Sequence, residues 1–364
     1  MITKIKFSLI ALFIFSASFS FAQVDSLDIK IGQMILVGVA EQQLDSSSTI
    51  LQEIRDGKIG GAILFEKNIT PQNAYINLKK LTYELQSAAT IPLFIAIDQE
   101  GGRVNRLKTK YQFPKSVTSE YLGTLDNIDS TKFYGQITAS TLAGLGFNVN
   151  FAPVVDLAIN PDNPIIAKYG RAFSADASLT AKHASIIVAQ HRKYGVVTVL
   201  KHFPGHGSSK ADTHLGIADV TEYWQEEELK PYQIMIDNGM IDAIMTAHIV
   251  NKKIDKKGNP GTLSKKVIDD LLRKKMGHEG VVFTDDLQMH AITKHYGFEK
   301  SIELTIKAGV DVMIFSNNIQ GSDDRTVDAV YKVVKKLIAD GEISEARIDE
   351  SYQRIMKLKK ERLL

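Results

Sequence analysis

Eight short apolar runs recur along the chain, at residues 34–39, 61–65, 93–97, 147–155, 196–200, 243–247, 281–283 and 312–315. Most are rich in valine and isoleucine and are bounded by glycine or polar residues. That is the pattern of strands buried on both faces of a parallel sheet. Stretches of helical spacing lie between them. Residues 71–86 carry Ala74, Leu78, Leu81 and Leu85 on one face, and 178–192, 221–238 and 264–275 behave similarly. Eight βα units in succession predict an α/β fold, a (β/α)8 TIM-type barrel. Two C-terminal helices are expected beyond it, at 326–339 and 345–358. No proline- or serine-rich linker, repeat or charge block divides the chain, so residues 23–364 read as one barrel domain.

The first 22 residues stand apart. Lys4 and Lys6 make a short basic start, no charge occurs from Phe7 to Val24, and Ser20 and Ala22 precede a plausible cut before Gln23. This three-part pattern predicts a secretory signal peptide and an exported protein, periplasmic or secreted. A retained membrane anchor is the alternative; after cleavage no stable membrane span is expected. Residues 1–22 hold two lysines and no acid, so the 44 basic and 42 acidic residues of the chain become balanced on cleavage. That balance leaves no electrostatic footprint for a nucleic acid. The chain has no cysteine, which excludes disulfides, thiol nucleophiles, Fe–S clusters and Cys-based zinc sites.

In a barrel of this kind, chemistry belongs just past the C-terminal ends of the strands. Those ends supply Asp98-Gln99-Glu100, Asp156, Lys201-His202, His248, Asp285-Asp286 and Ser316-Asn317. The densest group is Lys201-His202-Phe203-Pro204-Gly205-His206-Gly207, with Asp212-Thr213-His214 shortly after it. A basic pair on a strand end suits sugar hydroxyls, and a histidine on the adjoining loop can transfer protons near neutrality. In a turn, Asp212 could pair with His214 and fix its tautomer. With glycines, serines and no β-branched run before Thr213, the loop 205–215 is expected to have little to pin it. His202, His206, Asp212 and His214 could also be imagined as metal ligands, but Pro204 and Gly205 bar a helical zinc motif. The Asp285-Asp286 pair ends an apolar strand; one acid is expected to face the cavity and the other to cap the next helix. In Asp98-Gln99-Glu100-Gly101-Gly102-Arg103-Val104-Asn105-Arg106, acids and arginines flank a tight turn.

These three segments, with Ile97 opening the first and Leu287 closing the last, together resemble glycoside hydrolase family 3. Within it they are similar to the single-domain β-N-acetylglucosaminidases of bacterial cell-wall recycling. The resemblance runs from about residue 27 to 360 in the family's order. It implies a (β/α)8 barrel, no cofactor and no metal, and retaining hydrolysis of terminal β-linked N-acetylglucosamine from a small carbohydrate such as a muropeptide. By residue, it implies Asp285 as nucleophile, His214 as general acid/base and Asp212 as its partner. Asp98, Arg106, Arg171, Lys201 and His202 match sugar-binding positions. Thr213 stands where serine is usual.

Most retaining glycosidases use two carboxylates; here one aspartate and a His–Asp pair are expected to share the work. Other readings stay open at this level. The same site could use phosphate as acceptor, since a neutral histidine repels it less than a carboxylate. The barrel could also bind glycans without turnover, or hydrolyse with a metal.

Overall fold

The computed structural model describes residues 26–212, 216–320 and 327–363. The segment 1–22, expected to be a signal peptide, lies outside them. All eight apolar runs form strands, named here β1 (Ile35–Gly38), β2 (Gly61–Leu64), β3 (Phe94–Ile97), β4 (Val149–Asn150), β5 (Val197–Phe203), β6 (Ala243–Thr246), β7 (Val281–Phe283) and β8 (Met313–Phe315). Each strand from β1 to β6 pairs in parallel with its successor, and β8 pairs in parallel with β1, Ile35 opposite Met313. A parallel bridge between Phe283 and Val312 joins β7 to β8 and closes the ring.

The strands are apolar along their length because both faces are covered. Phe94, Phe151 and Phe283 fill the interior edge to face, with ring centroids 5.7 Å apart for Phe94–Phe283 and for Phe151–Phe283. β3 and β7 stand on opposite sides of the ring, so these rings pack through its centre. Outside, Ala74–Ser87 buries Ala74, Leu78, Leu81 and Leu85, the face its spacing predicts. The C-terminal helices are Val327–Ala339 and Glu345–Arg362. The latter, with Leu27–Gln33, closes the N-terminal end of the barrel. There the fully buried Lys359 donates to Gln33 Oε1 (2.6 Å) and to the carbonyl of Gly60 (2.9 Å), over the Phe94 ring.

Two segments depart from the sequence pattern. The expected helix 221–238 becomes a turn, a tight helical turn at Glu226–Leu229 and a short helix Lys230–Asp237. The apolar residues at its start serve another purpose: Trp224 packs with Val220, Ala218, Ala247 and Ile249, and Ala218–Asp219 pairs with Ile249–Val250. The run 147–155 keeps a regular ladder only over β4. Pro153 brings no N–H to the sheet, and pairing resumes as a single bridge from Val154 to Lys201.

Candidate active site

A cleft of about 470 Å³ opens at the C-terminal ends of the strands. Asp98, Arg106, Arg171, Lys201, His202, Asp212 and Asp285 all line it, so seven of the eight residues singled out from the sequence converge. The eighth, His214, lies outside the described residues.

β5 delivers the basic pair. On a regular strand Lys201 and His202 would point to opposite faces. Here the pairing register with β6 slips between Leu200 and Phe203, and this irregularity aims both side chains at the cleft. Lys201 Nζ lies 2.9 Å from Asp98 Oδ1 and 2.7 Å from Glu100 Oε1. Arg106 approaches the other oxygen of Asp98 at 3.3 Å. Arg171 grips Glu100 through two bonds of 2.8 Å and donates to His202 Nε2 at 3.3 Å. His202 Nδ1 then meets Asp156 Oδ2 at 2.7 Å. Because Nε2 accepts from a guanidinium, the ring carries its proton on Nδ1, and that N–H donates a hydrogen bond to the Asp156 carboxylate.

Charges alternate along this chain, which is how so many ionised groups are tolerated in one buried place. Burial alone would raise Asp98, Glu100 and Asp156. Lys201 and Arg106 pull Asp98 below its ordinary value, Arg171 and Lys201 pull Glu100 down further, and His202 lowers Asp156. Burial opposes the charge of Lys201 and Arg171 as well. Asp98 and Glu100 hold Lys201 above its usual value, and Glu100 does the same for Arg171. The result is a rigid ionic wall with hydrogen-bonding edges facing the cleft, suited to a neutral polyhydroxylated ligand.

β7 delivers the acid pair, and the two acids part. Asp285 is partly exposed at the cleft and accepts the N–H of Asp286 at 2.8 Å. Asp286 is buried behind it: Oδ1 accepts the N–H of Gln288 (3.0 Å) and of Ser316 (3.3 Å), and the Ser316 hydroxyl donates to Oδ2. Burial pushes the Asp286 carboxyl up to about 6, against those bonds. Asp286 thus ties the end of β7 to the end of β8. His248 braces the same turn, with Nε2 2.8 Å from the Asp286 carbonyl.

The first part of the loop leaving β5 differs from expectation; residues 213–215 of it lie outside the described residues. His206, Gly207, Ser208 and Ser209 are buried, and neighbours hold their backbone from two sides. Asp156 Oδ1 accepts the N–H of His206 (2.7 Å), and Asn163 donates to the carbonyls of His206 (2.8 Å) and Gly207 (3.1 Å). From the other side, Glu228 Oε2 accepts the N–H of Gly207 (2.8 Å) and Ser208 (3.3 Å). A Cβ on Gly207 would meet the Leu157 carbonyl at 1.9 Å, so glycine serves close packing here rather than freedom. The residues that pin this loop come from elsewhere in the chain, which local composition cannot reveal.

The fold gives three further groups their roles. Asp156 orients His202, and Glu100 joins Lys201 to Arg171. Their strand-end positions in the sequence are a signal for both. Glu228 sits in Glu226-Glu227-Glu228, a run that reads as a solvated helix start and carries no local hint of burial.

The glycosyl hydrolase family 3 N-terminal domain model matches residues 26–358. Beta-hexosaminidase A of Pseudoalteromonas piscicida is 35% identical over 324 residues, covering 83% of this chain and 53% of that protein. The beta-hexosaminidase of Nitrosomonas eutropha is 32% identical over 295 residues, covering 77% and 82%. A solved family 3 beta-N-acetylglucosaminidase from Paenibacillus sp. str. FPU-7 superposes with a TM-score of 0.84 at 33% identity, over 93% of this chain and 63% of that one. The chain therefore spans about half of the first relative and under two thirds of the Paenibacillus protein. With its match running through nearly every strand and helix of the barrel, this chain belongs to glycosyl hydrolase family 3, as a member built on the family's N-terminal domain.

Proposed function

We propose that this chain is a retaining β-N-acetylhexosaminidase that removes terminal β-linked N-acetylglucosamine from peptidoglycan fragments or related oligosaccharides. The observation that carries this reading is one cleft in which Asp285 faces an ionic wall of Asp98, Arg106, Arg171, Lys201 and His202. The names of the relatives, beta-hexosaminidase and beta-N-acetylglucosaminidase, support the sugar.

In the first step a carboxylate oxygen of Asp285 attacks the anomeric carbon. The bond to the leaving oxygen breaks, and that oxygen takes a proton from His214. A glycosyl–aspartate ester results. In the second step neutral His214 removes a proton from water, whose oxygen attacks the anomeric carbon and frees Asp285. Asp212 orients His214, and the wall binds the sugar hydroxyls through both steps. A histidine of ordinary pKa near 6.5 serves both roles around neutral pH.

Residues 1–22 act as an export signal in this reading, so the substrate is met outside the cytoplasm. Fractionation of expressing cells and N-terminal sequencing of the product test that part. The chemistry is tested by incubating the protein with muropeptides and with chitobiose, with and without phosphate, and weighing the products. Free N-acetylglucosamine is expected. Sugar 1-phosphate would make the protein a phosphorylase, and tight binding without turnover a glycan-binding barrel. A 2-fluoro glycoside should label Asp285; label on Asp286 would overturn the nucleophile.

A further inference from the structure

Glu228 is fully buried, yet no cation among the described residues pairs with it. Its Oε2 accepts two successive backbone amides, Gly207 and Ser208, at the base of the loop leaving β5. Gly205 passes so close that a Cβ there would lie 2.5 Å from the Glu228 Cβ. The indole of Trp224, four residues before Glu228, donates to the carbonyl of Pro204 at 3.1 Å. Asp156 holds the same loop from the opposite side through the amides of His202 and His206. Four amides around the loop base therefore rest on two buried carboxylates.

The two carboxylates are unequal. Asp156 faces His202 and stays ionised, whereas burial pushes Glu228 up to about 7, opposed by its bonds to Ser208 and Gly207 and reinforced by Asp156. The titratable groups around Glu228 are Asp156 across the loop, which disfavours its charge, and Tyr232 one turn further along the chain, which burial, Asp156 and Glu228 keep neutral; His206 adjoins the amides it holds. Among the described residues, Glu228 Oε1, Ser208 Oγ, Tyr232 OH and both ring nitrogens of His206 are buried with no hydrogen-bond partner within bonding distance. A buried acid with no counter-ion is costly, and here the charge is directed at the backbone of one loop.

We propose that Glu228 is a positioning residue: through the amides of Gly207 and Ser208 its carboxylate fixes the loop 205–212, which carries His206 and Asp212 to the cleft. The catalytic consequence rests on the reading that this loop serves acid/base chemistry. The anchoring itself does not. Amides bind a carboxylate more strongly than a neutral acid, so the anchor is firm above the titration of Glu228 and slack below it.

The test compares wild type, Glu228→Gln and Glu228→Ala in the full chain. Lys210, exposed in the same loop, reports anchoring by tryptic nicking without substrate. Glu228→Gln keeps an acceptor and loses the charge, so nicking at pH 8 should rise about tenfold, as for one lost charge-assisted hydrogen bond. Glu228→Ala should rise further. The ratio of Glu228→Gln to wild type should fall toward one as pH drops from 8 to 6. On N-acetylglucosaminides, Glu228→Gln should lower kcat/KM about tenfold for alkyl leaving groups and by less than about twofold for nitrophenyl ones, which need little protonation. Its Tm at pH 8 should equal or exceed that of wild type, since a buried charge is gone. Equal nicking of wild type and Glu228→Gln would overturn the proposal. So would an equal loss on all leaving groups with a lowered Tm, which marks a merely structural residue. If wild type turns over no glycoside, the hexosaminidase reading falls, and nicking alone decides the anchor.

Discussion

At the N-terminal end of the barrel, the buried acids Asp242 and Asp311 each meet more than one arginine. At the C-terminal end, Asp286 and Glu228 meet no cation among the described residues. Asp311, just before β8, lies 2.7 Å from Arg273, 3.2 Å from Arg354 and 3.6 Å from Arg347, and takes the N–H of Val282 at 3.0 Å. Asp242, just before β6, lies 2.8 Å from Arg192 and 3.0 Å from Arg362, and also takes the N–H and hydroxyl of Thr198. These arginines come from outer helices, so each acid rivets helices to strand ends. At the opposite end the available cations, Lys201, Arg106 and Arg171, are drawn to Asp98, Glu100 and the cleft. Asp286 and Glu228 settle for hydroxyls and amides. One end is organised for cohesion; the other holds polar groups ready for a ligand at some cost in stability.

Substitutions on each end should separate these roles. Asp285→Ala, at the cleft end, is expected to cut turnover by a factor on the order of 10⁴ or more while Tm stays within a few degrees. A chromogenic substrate and a thermal melt read the two quantities, and a collapsed Tm with normal activity per folded molecule would reverse the assignment. Asp311→Ala should do the opposite. It strands Arg273, Arg347 and Arg354 without their acid and should cost about 3–5 kcal/mol in urea unfolding, with kcat of the folded fraction unchanged.

A smaller effect concerns pH. Asp286 has its folded value raised to about 6 from about 4 in an unfolded chain. The fold therefore holds this proton more tightly than the unfolded chain does, and stability falls as pH rises through that window. Asp286→Asn, which keeps the acceptor for Gln288 and Ser316, should gain about 1–3 kcal/mol at pH 7.5 and nothing at pH 3.5. A gain that is the same at both values would remove the ionisation account. The smallest effect lies at the rim, where the Arg103 guanidinium stacks 4.5 Å from the Tyr169 ring centroid. Tyr169→Ala should raise KM by about two- to fivefold with little change in kcat, in line with an exposed cation–π contact. A change confined to kcat would place Tyr169 closer to the reacting atoms than the rim.

The strands were legible because a sheet covered on both faces has to be apolar throughout, and valine-rich runs bounded by glycine have few other fates in a chain of this length. The cleft residues were legible because strand ends concentrate them: Asp98, Lys201, His202 and Asp285 each lie at or just past the end of an apolar run. Their partners were less so. Asp156 was visible as a strand-end acid, but nothing local joined it to a histidine 46 positions later. Glu228 was hidden because an acid-rich helix start normally faces water, and only the close approach of Gly205 and the amides beyond it turns this one inward. The expectation of a loosely held loop after β5 fails for residues 206–209 for the same reason, while residues 213–215 lie outside the described residues. Glycine and serine describe what a backbone is free to do alone, whereas Asp156, Asn163 and Glu228 decide what it does here.

The floor of the barrel sets an order of assembly. Lys359 secures the carbonyl of Gly60 just before β2, and Arg362 reaches Asp242 just before β6. β1 itself pairs with β8, at the far end of the sequence. A nascent chain that has made all eight strands but not the helix Glu345–Arg362 therefore lacks Lys359 at the floor, and Asp242 and Asp311 keep only Arg192 and Arg273 of their arginines. Such a chain exposes apolar surface and invites association with other unfinished chains. Fusions or deletions that delay or remove that helix are expected to reduce yield well before they touch the cleft.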